Sequence, residues 1–434
     1  MKASRTIIQW SFAVVFLGIT IFLAFNKHSK SGYFTYHSEI WADKAGYYVY
    51  LPAALKYGFD PSQFPDSIEA KTGDGFHLDQ QNKVVLTKYT CGVALLQAPF
   101  YLLADLLAEP LGYASDGFSP IYHWSINLAA VFYLLLGLLL LRSYLRENFS
   151  DLVVYLSLFF LFLGTNLYHY AIDETGMSHV YSFALFAAYL VLLQRTQFLK
   201  SAKWSSIFLF GLIAGLALMV RPTSVLFLIA AFFLDLEGSS FKERFLGVLS
   251  WRIVLLTISG LFLVILPQLL YWFYSHNSIL VYSYGEEGFN WLQPQFLATF
   301  LSPNNGLFLY SPFYIIPVVG IALMMRGRQQ NGLIIGLLLL GVSYVLSCWW
   351  DWSFGCSYGG RSFVEYLAVL AIPLAYFVHV LLQMKWKRSI TIWIVMLAMV
   401  AFNMKNIYSY DGCYYGAGDW DWQAYITFIQ SPTK

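Results

Sequence analysis

An all-α membrane protein of about eleven spanning helices is the fold class the sequence predicts, on three observations. The 434 residues are 58% hydrophobic and only 12% charged, against about 25% charged in soluble chains. Apolar runs of spanning length recur along the chain. Basic residues collect in every second connection between those runs, the alternation expected when cations stay on the cytoplasmic side.

The first span is read over Thr6 to Phe25, behind Lys2 and Arg5, with no clean small-residue cleavage site after it. Further apolar runs cover Ile121 to Leu141, Leu152 to Tyr168, Met177 to Leu193, Ser206 to Val220 and Thr223 to Leu236. Five more cover Ile253 to Tyr271, Gly306 to Met325, Gly332 to Trp350, Phe363 to Leu382 and Ile390 to Met404. The connections then assigned to the cytoplasm hold about 15 of the 26 Lys and Arg residues, among them Arg142, Arg195, Lys200, Arg252, Arg326 and Lys385. Fusing the two runs around Arg221-Pro222 into one kinked helix would invert everything downstream, so they are kept as two.

Thr90 to Glu109 is apolar but interrupted by Pro99, Asp105 and Glu109, and is expected to lie in the outer interface as a helix that does not cross. The reading is therefore one membrane domain over 1–434, with a first non-cytoplasmic loop over 26–120 and a non-cytoplasmic tail over 406–434. The N-terminus is placed in the cytoplasm, and no internal repeat or soluble domain is visible. A net charge of +2 with scattered cations excludes a nucleic-acid partner. Four cysteines lack metal-ligand spacing. Cys356 and Cys413 can pair if both face an oxidising compartment, free thiols being the alternative.

The unusual polar residues gather on the outer side. In the first loop Glu39 and Asp43 stand four apart, on one face if the stretch is helical, before Gly46, Tyr47 and Tyr48. Such a pair can bind a divalent cation or supply a general base, or both acids are simply solvated. Asp173 and Glu174 occupy a short link between His169 and His179. Adjacent acids repel unless a cation is near, so the link suits half a metal site, or else a wet turn. His179, a turn inside the next helix, is either a base or a hydrogen-bonded packing residue.

Arg221 stands where the charge rule disfavours cations and needs a partner, either a lipid phosphate or an acidic side chain. Arg361 follows Gly359 and Gly360 in a tryptophan-rich loop and suits a phosphate clamp at the membrane edge. Glu286 and Glu287 add an acidic pair between two glycines, with ordinary loop chemistry as the alternative. Tyr414, Tyr415, Trp420 and Trp422 in the tail could stack on sugar rings or anchor at the interface.

With these residues in place, the chain resembles the GT-C superfamily of membrane glycosyltransferases, especially bacterial protein mannosyltransferase relatives and the lipid A aminoarabinose transferase. The resemblance rests on the Glu39 to Tyr48 region after the first span, the Thr90 to Glu109 helix, the Asp173-Glu174 link and the topology. It implies Asp43, with Glu39 beside it, as catalytic carboxylates, and Asp173 and Glu174 as the opposite wall around Mg or Mn. It implies a polyprenyl-phosphate sugar donor whose phosphate is held by Arg221 and Arg361; Tyr47, His179, Glu286 and Glu287 are further candidates. The acceptor is unassigned among glycolipid, polysaccharide and protein, and the expected location is a bacterial inner (plasma) membrane. The first loop departs from the mannosyltransferase pattern, because Glu39 and Asp43 are separated, and no large outer domain follows the helices. The rival expectation is a transporter or flippase that moves a lipid-linked glycan without making a bond, which would place charges near the midplane.

Overall fold

A computed structural model describes residues 2–199, 202–235 and 241–433; Lys200 and Leu236, used above, lie outside them. The described chain is almost wholly helical, as a backbone must be where lipid offers no hydrogen bonds. Five helices are long and apolar enough to cross a membrane: Gly92–Leu111, Pro120–Leu145, Trp251–His276, Gln330–Ser347 and Trp386–Ser409. Shorter apolar helices stand beside them at Val14–His28, Asp151–Gly164, Trp204–Val220, Pro222–Ala231, Pro312–Arg326 and Leu367–Gln383. With His179–Arg195 they make an integral membrane protein.

Packing explains which faces meet lipid. In Trp251–His276 the buried residues are Gly260, Val264, Gln268 and Tyr271, a single stripe at helical spacing. The stripe lies on Trp204–Val220, where Gly211 and Gly260 let the backbones touch. A Cβ on Gly211 would come within 2.2 Å of the Thr257 carbonyl oxygen, and one on Gly260 within 2.3 Å of that of Phe208. Leu255, Ile258, Phe262, Leu263 and Phe273 on the other faces are exposed and turn to the acyl chains.

Three expected spans are broken. The Leu152 run ends as a helix at Gly164, and after an extended Thr165 a separate helix covers Leu167–Ile172. The Gly306 run divides into Leu307–Tyr310, a 3-10 turn Pro312–Tyr314 and Ile315–Arg326, because Pro312 has no N–H to continue the ladder. After Arg221 the chain makes a turn at Pro222–Ser224 and a helix of seven residues, Val225–Ala231. Seven residues rise only about 10 Å, a third of a hydrocarbon core of about 30 Å. Arg221 itself is extended, with φ −152° and ψ 116°, so no continuous kinked helix forms.

Between Val14–His28 and Pro120–Leu145 the chain folds on a small core of its own. Ile40, Tyr48, Leu51, Phe64, Phe76 and Phe118 are buried together over the ribbon His77–Asp79 and Val84–Leu86. The apolar stretch after it is helical over Gly92–Ala108, packed along Pro120–Leu145. Helix begins only at Asp43, so Glu39 and Asp43 share no helical face.

Candidate active site

Asp43 opens the short helix Asp43–Tyr48, where Ala42, at φ 47°, turns the chain and donates its N–H to the Thr72 carbonyl at 2.8 Å. The turn sends neighbouring side chains to different walls. Asp43 Oδ2 lies 2.9 Å from Arg361 Nη2, and its Oδ1 accepts from the Tyr89 hydroxyl at 2.5 Å. Lys44 Nζ lies 2.9 Å from Glu174 Oε2. The link carrying Glu174 approaches closely because Gly176 has no side chain: a Cβ there would sit 2.4 Å from the Glu39 carbonyl oxygen.

Arg361 is delivered by two left-handed glycines, Gly359 at φ 53° and Gly360 at φ 57°, which fold the loop into the turn Arg361–Phe363. Phe354 backs its guanidinium, 5.7 Å from ring centre to Cζ. The next residue, Ser362, accepts from Arg221 Nη2 at 2.8 Å. Arg221 Nη1 reaches Ser178 Oγ at 3.4 Å, which also accepts from Tyr47 at 3.4 Å. The rings of Tyr47 and Tyr89 meet at a tilt of 43°, with centroids 4.3 Å apart. Contacts thus close into a circuit: Asp43, Arg361, Ser362, Arg221, Ser178, Tyr47, Tyr89 and back to Asp43.

Behind this circuit stands Glu365. Its two oxygens lie 3.0 Å from Arg221 Nε and 3.1 Å from His179 Nδ1, and its side chain is 1% exposed. The groups in front are more open: Asp43 is 30% exposed and the two arginines 17% and 16%. Burial works against the charged form of Asp43, yet Arg361, the Tyr89 hydroxyl and Lys88 outweigh it and hold the carboxyl below its ordinary range. Burial and the neighbouring Asp43 charge push the Tyr89 phenol well up, so it stays a donor.

Glu39 lies apart from the circuit. It is 3% exposed, with His28 Nδ1 3.2 Å from Oε1, His123 Nδ1 2.8 Å from Oε2 and Asn127 donating to Oε1 at 2.5 Å. Asn127 in turn accepts from Thr175 at 2.7 Å. Burial opposes its charge, but the His123 hydrogen bond and the two imidazoles overrule it and bring the carboxyl down to about 2. With both oxygens taken in a closed pocket, Glu39 ties the first loop to the long helices and to the acidic link, and does not face the opening.

The acidic link does not assemble a cation site. Asp173 lies 3.1 Å from His169, and Glu174 already holds the Lys44 ammonium, a charge that repels a metal ion. Among the described residues no three His, Cys, Asp or Glu side chains converge with ligand geometry. Glu287 pairs with Lys88 at 2.7 Å while Glu286 is exposed beside it. Lys88 sits 5.7 Å from the ring centres of both Tyr89 and Tyr284, which places Glu287 at the rim. Cys356 and Cys413 are joined in a disulfide, tying the Arg361 loop to the tail.

Superposition on known structures decides the fold. The oligosaccharyltransferase AglB from Archaeoglobus fulgidus, in complex with an inhibitory peptide and a dolichol-phosphate, matches 98% of this chain with TM-score 0.51 at 12% identity. The chain has the GT-C fold. It spans 57% of the length of AglB, and what is shared at this identity is the fold. ArnT from Cupriavidus metallidurans, bound to undecaprenyl phosphate, aligns over 96% of this chain and 70% of its own length with TM-score 0.47 at 13% identity. No protein-family model and no curated protein sequence matches. Of the residues singled out from the sequence, the circuit brings together Asp43, Arg221, Arg361 and Tyr47; Glu365, Tyr89, Lys44, Ser178 and Ser362, not singled out, stand with them. A signal for Glu365 was there: a lone acid in the run Phe363 to Leu382 needs a cationic partner as much as Arg221 needs an anionic one.

Proposed function

We propose that this chain is a membrane glycosyltransferase that moves a sugar from a polyprenyl-phosphate carrier to an acceptor hydroxyl at the non-cytoplasmic face of the plasma membrane. The observation that carries the reading is the circuit itself: one half-open carboxylate in direct contact with one of two arginines, on a fold shared with a protein whose structure holds a dolichol-phosphate.

Two arginines a serine apart suit a phosphate that gains charge as it leaves. Arg221 is fixed from behind by Glu365, whereas among the described residues Asp43 is the one carboxylate that holds Arg361. An arriving donor phosphate shares Arg361 and loosens its hold on Asp43, whose basicity then rises. The acceptor O–H proton passes to Asp43, the acceptor oxygen attacks the anomeric carbon, and the bond from that carbon to the phosphate oxygen breaks. The electron pair leaves with the lipid phosphate, against Arg361 and Arg221. Tyr89 keeps Asp43 oriented from its other oxygen. Glu174 and Asp173, engaged by Lys44 and His169, form the wall beside these groups.

The test is transfer of radiolabelled sugar from a polyprenyl-phosphate donor by the purified chain, wild type against Asp43→Asn and Arg361→Ala. General-base loss is worth about 10²–10⁴ in rate. Turnover unchanged by both substitutions refutes the assignment, and glycolipid crossing vesicles with no bond made would replace it with the carrier reading.

A further inference from the structure

A cavity is lined by residues of the loop that carries Arg361 and by residues of the tail. Ser353 and Gly355, which flank Phe354, line a space of about 320 Å³ together with Asn304, Tyr414, Gly418 and Asp419. The Cys356–Cys413 disulfide closes one wall. The tail is fixed there by the Ser302 hydroxyl on the Asp419 carbonyl and by Asn304 Nδ2, which donates to Asp419 Oδ1 at 2.9 Å.

The walls specify a ligand class. They offer an amide, hydroxyls and one carboxylate, with no lysine, arginine or histidine, so a phosphate or other anion is repelled. Asp419 is exposed, and among the described residues its side chain is engaged at Oδ1 by Asn304, so Oδ2 can accept from hydroxyl donors. Tyr415, Trp420 and Trp422, 71%, 49% and 47% exposed, flank these residues in the chain with faces suited to the C–H side of a pyranose. The volume lies at the small end of ligand pockets, about 300–1,000 Å³.

We infer that the cavity between the tail and the Arg361 loop binds a neutral glycan of one or two rings. Its identity as the acceptor rests on the transfer reading above; the binding does not. Ser353, Gly355 and Cys356 of its wall belong to the same loop as Phe354, whose ring backs the Arg361 guanidinium.

The test uses the full chain in lipid nanodiscs. Methyl glycosides of glucose, galactose, mannose and N-acetylglucosamine, with maltose and cellobiose, are titrated by saturation-transfer NMR. The obstructing variant is Gly418→Trp, since a Cβ at Gly418 meets nothing within 4 Å and the side chain enters open space. At least one glycan should bind saturably, and Gly418→Trp should weaken it by at least about tenfold with undecaprenyl phosphate binding intact. Saturable binding of none, or equal binding by the variant, overturns the inference, as does joint loss of glycan and lipid binding. Glycan binding that persists in Asp43→Asn and in a wild type inactive toward every donor upholds the cavity while sinking the transfer reading.

Discussion

Glu39→Gln separates an anchor from a catalyst. The carboxyl is held at about 2 against an ordinary 4.5, and its side chain is 4% exposed, so solvent screening takes little away. At about 1.4 kcal/mol per pH unit, that difference is worth about 3 kcal/mol of folded-state stability at neutral pH. The sign follows from a depressed acid: the contribution is complete above 4.5 and drains away as pH falls toward about 2. In nanodiscs, scanning fluorimetry at pH 7 should show Glu39→Gln unfolding several degrees below wild type, the gap narrowing as the buffer is taken below pH 4.5. Turnover per folded molecule should survive, because Glu39 touches neither Asp43 nor either arginine among its hydrogen bonds and ion pairs. An unchanged unfolding temperature with abolished transfer would refute this reasoning and return Glu39 to the chemistry.

Four further outcomes follow from the same geometry. The acid limb of the kcat/KM profile should fall below the ordinary aspartate range of 3.8, since Arg361 depresses Asp43, and Arg361→Ala should move that limb upward; a limb that stays put would contradict the pairing. Glu365→Gln should raise donor KM more than it lowers kcat and cost about 3–5 kcal/mol as a broken buried pair, read from steady-state kinetics and thermal unfolding. Replacing Cys356 and Cys413 together by serine should lower stability by about 4 kcal/mol on chain-entropy grounds, for a sequence separation of 57 residues, visible as earlier unfolding without reductant. Gly260→Leu should prise Trp251–His276 from Trp204–Val220, seen as a large loss of thermal stability, whereas Ile258→Leu on the lipid face should change nothing.

The helices were legible because lipid demands long apolar runs, and most expected boundaries fall within a few residues of the observed ones. The breaks at Thr165 and Pro312 were less so, since a run of apolar residues reads the same whether its backbone is continuous or interrupted. Arg221 stood out as a cation the charge rule disfavours, Arg361 as a cation behind two glycines, and Asp43 as an acid four residues from Glu39. Their partners did not. Asp43 and Arg361 are 318 residues apart, and Arg221 finds Glu365 across the bundle, so local periodicity holds no record of either pair. The adjacent acids Asp173 and Glu174 invited a metal because Lys44, which neutralises one of them, comes from another loop 130 residues away. Glu39 looked equivalent to Asp43 on spacing alone, and only the histidines His28 and His123 from two separate helices distinguish them.

The bond between Cys356 and Cys413 also acts as a parity marker. It staples the segment after Gln330–Ser347 to the segment after Trp386–Ser409, and sulfurs joined covalently share one side of the bilayer. If Leu367–Gln383 and Trp386–Ser409 both cross, they run as a down-and-up hairpin whose bend, at Met384 and Lys385, emerges opposite the staple. That sidedness owes nothing to counting cations. A thiol probe that reached a cysteine placed at Lys387 from the same side as the tail would undo it.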